Sequence, residues 1–271
     1  MSGTAIGGLL DAAKYGPWAV VAGGSDGTGA WFAREIAASG INLLIIARRQ
    51  GPLDAVAQEI RNDYGVEVRT LSLDLNSPDA SQKMAEATKG LEVGLYVSNA
   101  GSEDGGHFFL DTPIENMRNL IARNVLTVMD ACHHFGRAMR DRGRGGIILM
   151  SSGTGLGGQP GVAAYSAAKG FVLNLAESLW AELRGAGVDV IGIAAPLMDT
   201  PSLQRILGGL QLPGILAPEE VVRDTLRRLS HTPSYVYAYG EPPEESERQT
   251  KLRHDRVLAV EKLSQIFFAD H

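Results

Sequence analysis

The sequence predicts a single doubly wound α/β domain, with a mostly parallel seven-stranded sheet and helices on both faces. Three observations predict it. Seven short apolar runs punctuate the chain, stretches with helical spacing separate them, and no repeat, low-complexity tract or linker divides the 271 residues. That length suits one large domain. Continuous apolar strands alternating with helices make a sheet buried on both faces, wound by right-handed crossovers.

The strands are expected at 18–22, 43–47, 66–73, 95–98, 147–150, 188–195 and, more weakly, 235–239. Residues 30–39 place Trp31, Ile36 and Ala37 among polar residues as a helix. Leu53, Val56, Ala57 and Ile60 recur at spacings of three and four, one face of a helix over 53–64. Ser77, Pro78 and Asp79 read as an N-cap, a first-turn proline and an early acid. Further helices are expected at about 122–139, 165–184 and 218–229. Two segments stand outside the alternation. Residues 201–218 show no clear period and are assigned as a substrate lid. Residues 244–268 form a helical C-terminal extension, charged first and then amphipathic, with Ala259, Leu263, Ile266 and Phe267 spaced for one face.

Composition narrows the class of protein. Hydrophobic residues make up 44% and charged residues 21% of the chain, the balance of a folded domain. Thirty-one acids against 25 Lys and Arg give a net charge of −6, which argues against nucleic acid as a partner. Cys132 is the single cysteine, so no intrachain disulfide and no multi-cysteine metal site is available. The first residues carry no basic leader, and no apolar run approaches the ~18 residues of a membrane span. The cytoplasm is the expected compartment.

The first strand runs into Gly23, Gly24, Ser25, Asp26, Gly27, Thr28 and Gly29, and a helix follows. Glycines at 23, 27 and 29 permit a tight turn and close backbone approach, and the helix N-terminus offers free N–H groups to a pyrophosphate. A glycine-rich loop without a ligand is the plain alternative; the strand–loop–helix context in the first βα unit favours the nucleotide. The second strand ends in Ala47, Arg48 and Arg49, where NAD-binding folds carry an acid for the ribose 2′-hydroxyl. A guanidinium here pairs with a 2′-phosphate, so NADPH is expected over NAD, against the alternative of two solvated surface arginines.

Ser151 and Ser152 follow the fifth strand, and Tyr165 and Lys169 lie four apart on one helical face. A lysine cation beside a phenol lowers the phenol's pKa, so that it exchanges a proton with a carbonyl oxygen near neutral pH. Taken alone, such a pair is often a helix-surface contact. Together with the glycine loop, Asp74, the run Ser98-Asn99-Ala100-Gly101, Asn124, Ala195-Pro196 and Thr200, it stands in the order and spacing of one family. Over about residues 15–240 the chain resembles the short-chain dehydrogenase/reductase family, whose domain is of the Rossmann type. Its first strand and Ser25-Asp26-Gly27 are similar to 17β-hydroxysteroid dehydrogenases and long-chain 3-oxoacyl-CoA reductases.

The resemblance implies an NAD(P)-dependent oxidoreductase acting on a CH–OH group. Tyr165 would be the general acid/base, Lys169 would bind the nicotinamide ribose, Ser152 would orient the carbonyl, and Asn124 would hold a relay water by kinking its helix. Gly23, Ser25, Asp26, Gly27, Thr28 and Gly29 would cradle the cofactor, with Arg48 and Arg49 at its 2′-phosphate and Asp74 and Leu75 at its adenine. Asn99, Ala100, Gly101, Pro196, Met198 and Thr200 would line the rest. The chain departs from the family in Leu197 after Pro196, in Ala22 before the first glycine, and in Asp26, where some NADPH users carry a basic residue.

Leu203, Ile206, Leu207, Leu210, Leu212, Ile215 and Leu216 make the lid apolar, which suits a hydrophobic ketone or secondary alcohol, unless these side chains simply pack the lid onto the domain. His107, Phe108 and Phe109 are candidates for the opposite wall. A 3-oxoacyl-CoA or acyl-carrier reductase is the alternative and would need a basic patch by the pocket. A non-catalytic nucleotide sensor is the second alternative, against which stand Ser152, Tyr165 and Lys169. Apolar residues Phe171, Leu175, Leu179 and Trp180 on the 165–184 helix, with the 122–139 helix, are expected to form a homodimer or homotetramer interface.

Overall fold

The β-strands are five to seven residues long except the last, which has three, and they order the molecule. A computed structural model describes residues 8–101 and 106–267, with side chains through 261. β1 (Trp18–Ala22), β2 (Asn42–Ala47), β3 (Val68–Ser72), β4 (Val93–Ser98), β5 (Gly145–Met150), β6 (Val188–Ala194) and β7 (Ser234–Val236) form one sheet in the order β3-β2-β1-β4-β5-β6-β7. Every pairing is parallel, so the sheet is entirely rather than mostly parallel. The order reverses between β1 and β4, with Ala22 in register with both Ile46 and Ser98. Ligands bind at such a switch point, beyond the carboxyl ends of the strands.

Alternation within the strands divides the core. Ala19, Val21, Ile45 and Ile148 face one layer with Phe32, Ile36, Leu53 and Leu226. These come from α2 (Gly27–Ala38), α3 (Gln50–Tyr64) and α9 (Pro218–Arg228). Val20, Ile46, Tyr96 and Leu149 face the other with Met84, Phe135, Met139 and Val172. Those helices are α4 (Ala80–Ala87), α6 (Thr127–Arg142) and α7 (Ala163–Leu183), while α1 (Ala12–Tyr15) tucks Tyr15 under the strand starts. Each such buried aliphatic or aromatic side chain contributes about 1.5–3 kcal/mol.

Three expectations need correction. Ser77 does not cap α4: the backbone N–H of Ala80 donates to Ser77 O, so 77–79 form the turn before the helix and Asp79 takes the N-cap position. Residues 201–218 do contain a helix, α8 (Pro201–Leu207). Thr200 Oγ1 caps it by accepting from Leu203 N at 3.2 Å, Pro201 opens it, and left-handed Gly208 closes it. Along α10 (Pro243–Phe267) the buried face is Ser246, Thr250 and Val257, whereas Ala259 is exposed; the side chains of Leu263, Ile266 and Phe267 lie outside the described residues.

Polar residues on that face explain why the extension docks. β7 is an edge strand, and its open side needs partners. Val236 N donates to Thr250 Oγ1 and Ala238 N donates to Ser246 Oγ, both at 3.0 Å. Arg253 adds a forked ion pair to Glu177 of α7, at 2.6 and 3.0 Å, and Glu177 also accepts from Ser234 Oγ. His254 meets the Trp180 ring edge-on. Trp180, expected at a subunit interface, is therefore buried beneath the chain's own last helix, while Phe171, Leu175 and Leu179 are half-buried.

Candidate active site

The glycine loop is as tight as its sequence demands. Gly23 has φ +89°, and a Cβ there would sit 2.7 Å from Ala100 N. A Cβ on Gly29 would lie 1.8 Å from Gly23 O, so α2 starts where only hydrogen fits. Asn99 fastens this turn to β4 by donating from Nδ2 to Gly23 O at 3.0 Å. α2 thus points its N-terminus, with unpartnered N–H groups, into the cleft above the switch point.

That cleft measures about 540 Å³ and runs from Asp26 and Arg48 at one end to Tyr165 and Ile206 at the other. It gathers Gly23, Ser25, Asp26, Gly27, Thr28, Arg48, Arg49, Asp74, Leu75, Asn99, Ala100, Gly101, Ser152, Tyr165, Lys169, Pro196, Met198 and Thr200 onto one surface. Gly29 and Asn124 are not on it; both stand behind the wall. At the far end Arg49 does not stand open. Its Nη2 pairs with Asp26 Oδ2 at 2.6 Å, both partly exposed, which leaves Arg48 as the arginine there with no ion pair among the described residues. Asp74 accepts from Asn76 N at 3.0 Å, an Asx turn at the end of β3.

At the other end the geometry is fixed by helices. Between α5 (Ile114–Ile121) and α6 the helix widens into a π turn, Ala122–Leu126, and this bulge carries Asn124. The side chain is buried. Nδ2 donates to Leu120 O at 3.0 Å, and Oδ1 has no hydrogen-bond partner among the described residues. An orphan acceptor at this depth is uncommon and asks for a ligand or water. Lys169 is buried beside it, donating from Nζ to Met150 O at 2.9 Å, with Nζ 5.5 Å from the Tyr165 ring centroid. Burial, and next the nearby Arg123 cation, pull the ammonium down from its ordinary value to about 7. Ser151 Oγ donates to Lys169 O at 2.7 Å, and a Cβ on Gly155 would meet that same carbonyl, so the loop after β5 is pressed onto α7. Ser152 Oγ accepts from Thr154 N at 3.3 Å and faces the cleft.

Sequence reasoning missed Arg123, which borders the cleft beside Asn124, and the roof residues Thr154 and Gln159. Adjacency to Asn124 was the only signal for Arg123. Of the apolar lid, Leu203 and Ile206 line the cleft with Leu197, while Leu207 and Leu210 do not. His107 and Phe109 border an adjoining cavity, and Phe108 projects to solvent.

Fold and site together define an oxidoreductase, and comparison with known proteins agrees. The model of the short chain dehydrogenases matches residues 17–208, and the chain belongs to that family. It is 34% identical over 246 residues to the 7beta-hydroxysteroid dehydrogenase of Collinsella aerofaciens, covering 89% of this chain and 92% of that one. It is 37% identical over 227 residues to the very-long-chain 3-oxoacyl-CoA reductase of Macaca fascicularis, covering 82% and 72%. A solved 7beta-hydroxysteroid dehydrogenase superposes with a TM-score of 0.81 at 32% identity, over 93% of this chain and 98% of the other. A short-chain dehydrogenase from Sphingobium yanoikuyae in complex with NADPH gives 0.78 at 25% identity, over 94% and 96%. A hydroxysteroid dehydrogenase and a long-chain 3-oxoacyl-CoA reductase are relatives of the type that the sequence resembles. Among the described residues no helix is long and apolar enough to cross a membrane.

Proposed function

We propose that the protein is an NADP(H)-dependent oxidoreductase that interconverts a bulky hydrophobic ketone and its secondary alcohol. The observation that carries this reading is the convergence of Ser152, Tyr165 and Lys169 on one cleft that also carries the apolar side chains Leu197, Met198, Leu203 and Ile206. The cofactor fits the residues present. The glycine cradle would be filled by any Cβ, and the orphan Oδ1 of Asn124 matches a buried water next to Lys169. Bound there, NADPH supplies the hydride.

This chain's own residues do the rest. The glycine loop and the α2 N-terminus receive the pyrophosphate. Arg48 takes the 2′-phosphate, and Asp26 holds Arg49 aside. Asp74 and Leu75 meet the adenine, and Asn99, Ala100, Gly101, Pro196 and Thr200 line the path to the nicotinamide end. Lys169 donates to the ribose hydroxyls. Tyr165 gives its phenolic proton to the carbonyl oxygen during reduction and takes it back in the reverse direction, while Ser152 donates a hydrogen bond to the same oxygen. Asn124 Oδ1 accepts from a water that returns the proton by way of Lys169. Leu203 and Ile206 cover the substrate and keep water from the reacting carbon.

A 3-oxoacyl-CoA is the second substrate reading, favoured by the reductase relatives and by cationic residues in the adjoining cavity. NADPH oxidation measured with a panel of steroid ketones, 3-oxoacyl thioesters and small ketones tests both. Turnover of a bulky ketone that Tyr165→Phe lowers by at least ~100-fold is expected. No turnover of any member, with NADPH bound, would return the chain to the sensor reading.

A further inference from the structure

Ser151 is the buried neighbour of Ser152, and the proposed reaction gives it no task. It stands where the loop after β5 meets α7, and the two are joined there twice. Ser151 Oγ donates to Lys169 O at 2.7 Å, and Lys169 Nζ donates back to Met150 O at 2.9 Å. Backbone and side chain of one lysine are thus tied to consecutive residues of the loop. A carbonyl inside α7 accepts along the helix as well, and has a second lone pair for Ser151.

Glycines permit this close approach. A Cβ on Gly155 would lie 2.7 Å from Lys169 C and 2.9 Å from Ser151 Oγ, and one on Gly170 would lie 3.4 Å from Gly155 O. The chain is held on the other side of Ser152 too. Gly153 N donates to Ala195 O, just past β6, at 2.9 Å. Ser152 therefore sits between an anchor on α7 and an anchor at the end of β6. Thr154 N donates to its Oγ at 3.3 Å, a contact that uses a lone pair and leaves the proton for a carbonyl. Tyr165 lies one turn before Lys169 on the same helix. A bond from residue 151 to the carbonyl of residue 169 thus sets the separation of two hydroxyls that have to meet one oxygen atom.

We propose that Ser151 is a positioning residue: its hydrogen bond to Lys169 O holds Ser152 at the distance from Tyr165 that lets both hydroxyls reach the same substrate oxygen. The inference rests on the ketoreductase reading and adds to it a residue that acts through its neighbour.

A double-variant cycle separates position from stability. A misplaced hydrogen-bond donor loses part of what its deletion would lose, and deletion costs on the order of 100-fold in kcat. Ser151→Ala should therefore lower kcat for the fastest ketone of the panel by about tenfold, with the ketone KM and the NADPH dissociation constant unchanged. The same change is then made in Ser152→Ala. With no hydroxyl left to position, its effect should shrink to less than about twofold, a coupling that general loosening of the fold does not produce. If Ser151→Ala melts below the assay temperature, Ser151→Cys, which keeps the packing but donates weakly, takes its place in the cycle. An unchanged kcat, or the same factor in both backgrounds, would overturn the role of Ser151 and leave the ketoreductase intact. A wild type that turns over no ketone would remove the ketoreductase reading, and this role with it.

Discussion

Gly101→Ala is the most revealing single change, because its effect can be worked out from atoms. Gly101 has φ +143°, a region that L side chains seldom adopt. A Cβ there would lie 2.1 Å from Asn124 Oδ1 and 3.1 Å from Lys169 Nζ. Asn124 has nowhere to retreat: it is buried in the π turn and tethered to Leu120 O. The backbone strain costs about 1–3 kcal/mol. For a chain of this size that is a fall of roughly 3–10 °C in melting temperature. The overlap also pushes the asparagine and lysine by about 1 Å, a misplacement that costs on the order of 100-fold in kcat. The assay is kcat for a bulky ketone at saturating NADPH, with thermal melts of Gly101→Ala, Asn124→Ala and the double variant. If the clash runs through Oδ1, removing the amide relieves part of the stability loss, so the two changes are non-additive. Wild-type turnover in Gly101→Ala, or an undiminished melting drop in the Asn124→Ala background, would refute the reasoning.

Four further outcomes are expected. Lys169→Met should raise the melting temperature of the cofactor-free protein more at pH 6 than at pH 9. The lysine titrates near 7 when folded against ~10.4 unfolded, so between those values the unfolded chain binds more protons and wild-type stability rises with pH; a pH-independent difference counts against a charged buried lysine. Ala47→Asp with Arg48→Ala should move cofactor preference toward NADH, read as the ratio of NADPH to NADH dissociation constants, and an unchanged ratio would mean that Arg48 does not hold the 2′-phosphate. Leu203→Ser with Ile206→Ser should raise KM for a bulky ketone by tenfold or more, since each half-covered side chain contributes on the order of 1 kcal/mol, and leave a small ketone little affected; equal changes with a lower melting temperature would make these side chains anchors only. Solution scattering at micromolar concentration should give the mass of a dimer or tetramer, with Leu126 and Met129, about half exposed on the outer face of the π turn and α6, in the interface; a monomer mass would show that α10 has replaced the partner.

The legible part of this protein is the part in which backbone geometry admits few residues. Gly23 and Gly29 are dictated by contacts at 2.7 and 1.8 Å, so the nucleotide loop can be read from glycine spacing alone. Strand positions were legible for a related reason: the central strands, buried on both faces, tolerate only apolar runs, whereas the edge strand β3 carries Arg69, Thr70 and Ser72 and shows only partial alternation. The lid was misread because its helix is set by its ends rather than by a period. Thr200, Pro201 and Gly208 were visible as cap, first turn and stop, but seven residues are too few to show periodicity. Trp180, one residue of the stripe expected at a subunit interface, was misplaced for a different reason. Apolar residues on α7 specify burial without naming what covers them, and α10 covers Trp180 through polar pairs, Arg253 with Glu177 and Thr250 with Val236 N, that no hydrophobic pattern announces.

The same distinction separates the two ends of the cleft. Where Tyr165, Lys169 and Asn124 stand, position follows from helix spacing and a π turn, and the chemistry can be argued from the chain alone. At the cofactor's far end the outcome depends on which long side chains pair across open space. Asp26 looked like a missing phosphate contact in the sequence. In the structure it engages Arg49, so one exposed carboxylate decides which of two adjacent arginines is left to meet an anion. An exposed pair of this kind is worth only about 0.2–1 kcal/mol. Asp26→Asn should therefore free Arg49 and strengthen NADPH binding by up to about fivefold, with NADH binding unchanged because it has no 2′-phosphate to gain. Fluorescence titration of both cofactors measures this directly. Equal effects on the two would show that Asp26 acts on the glycine loop rather than through the arginine.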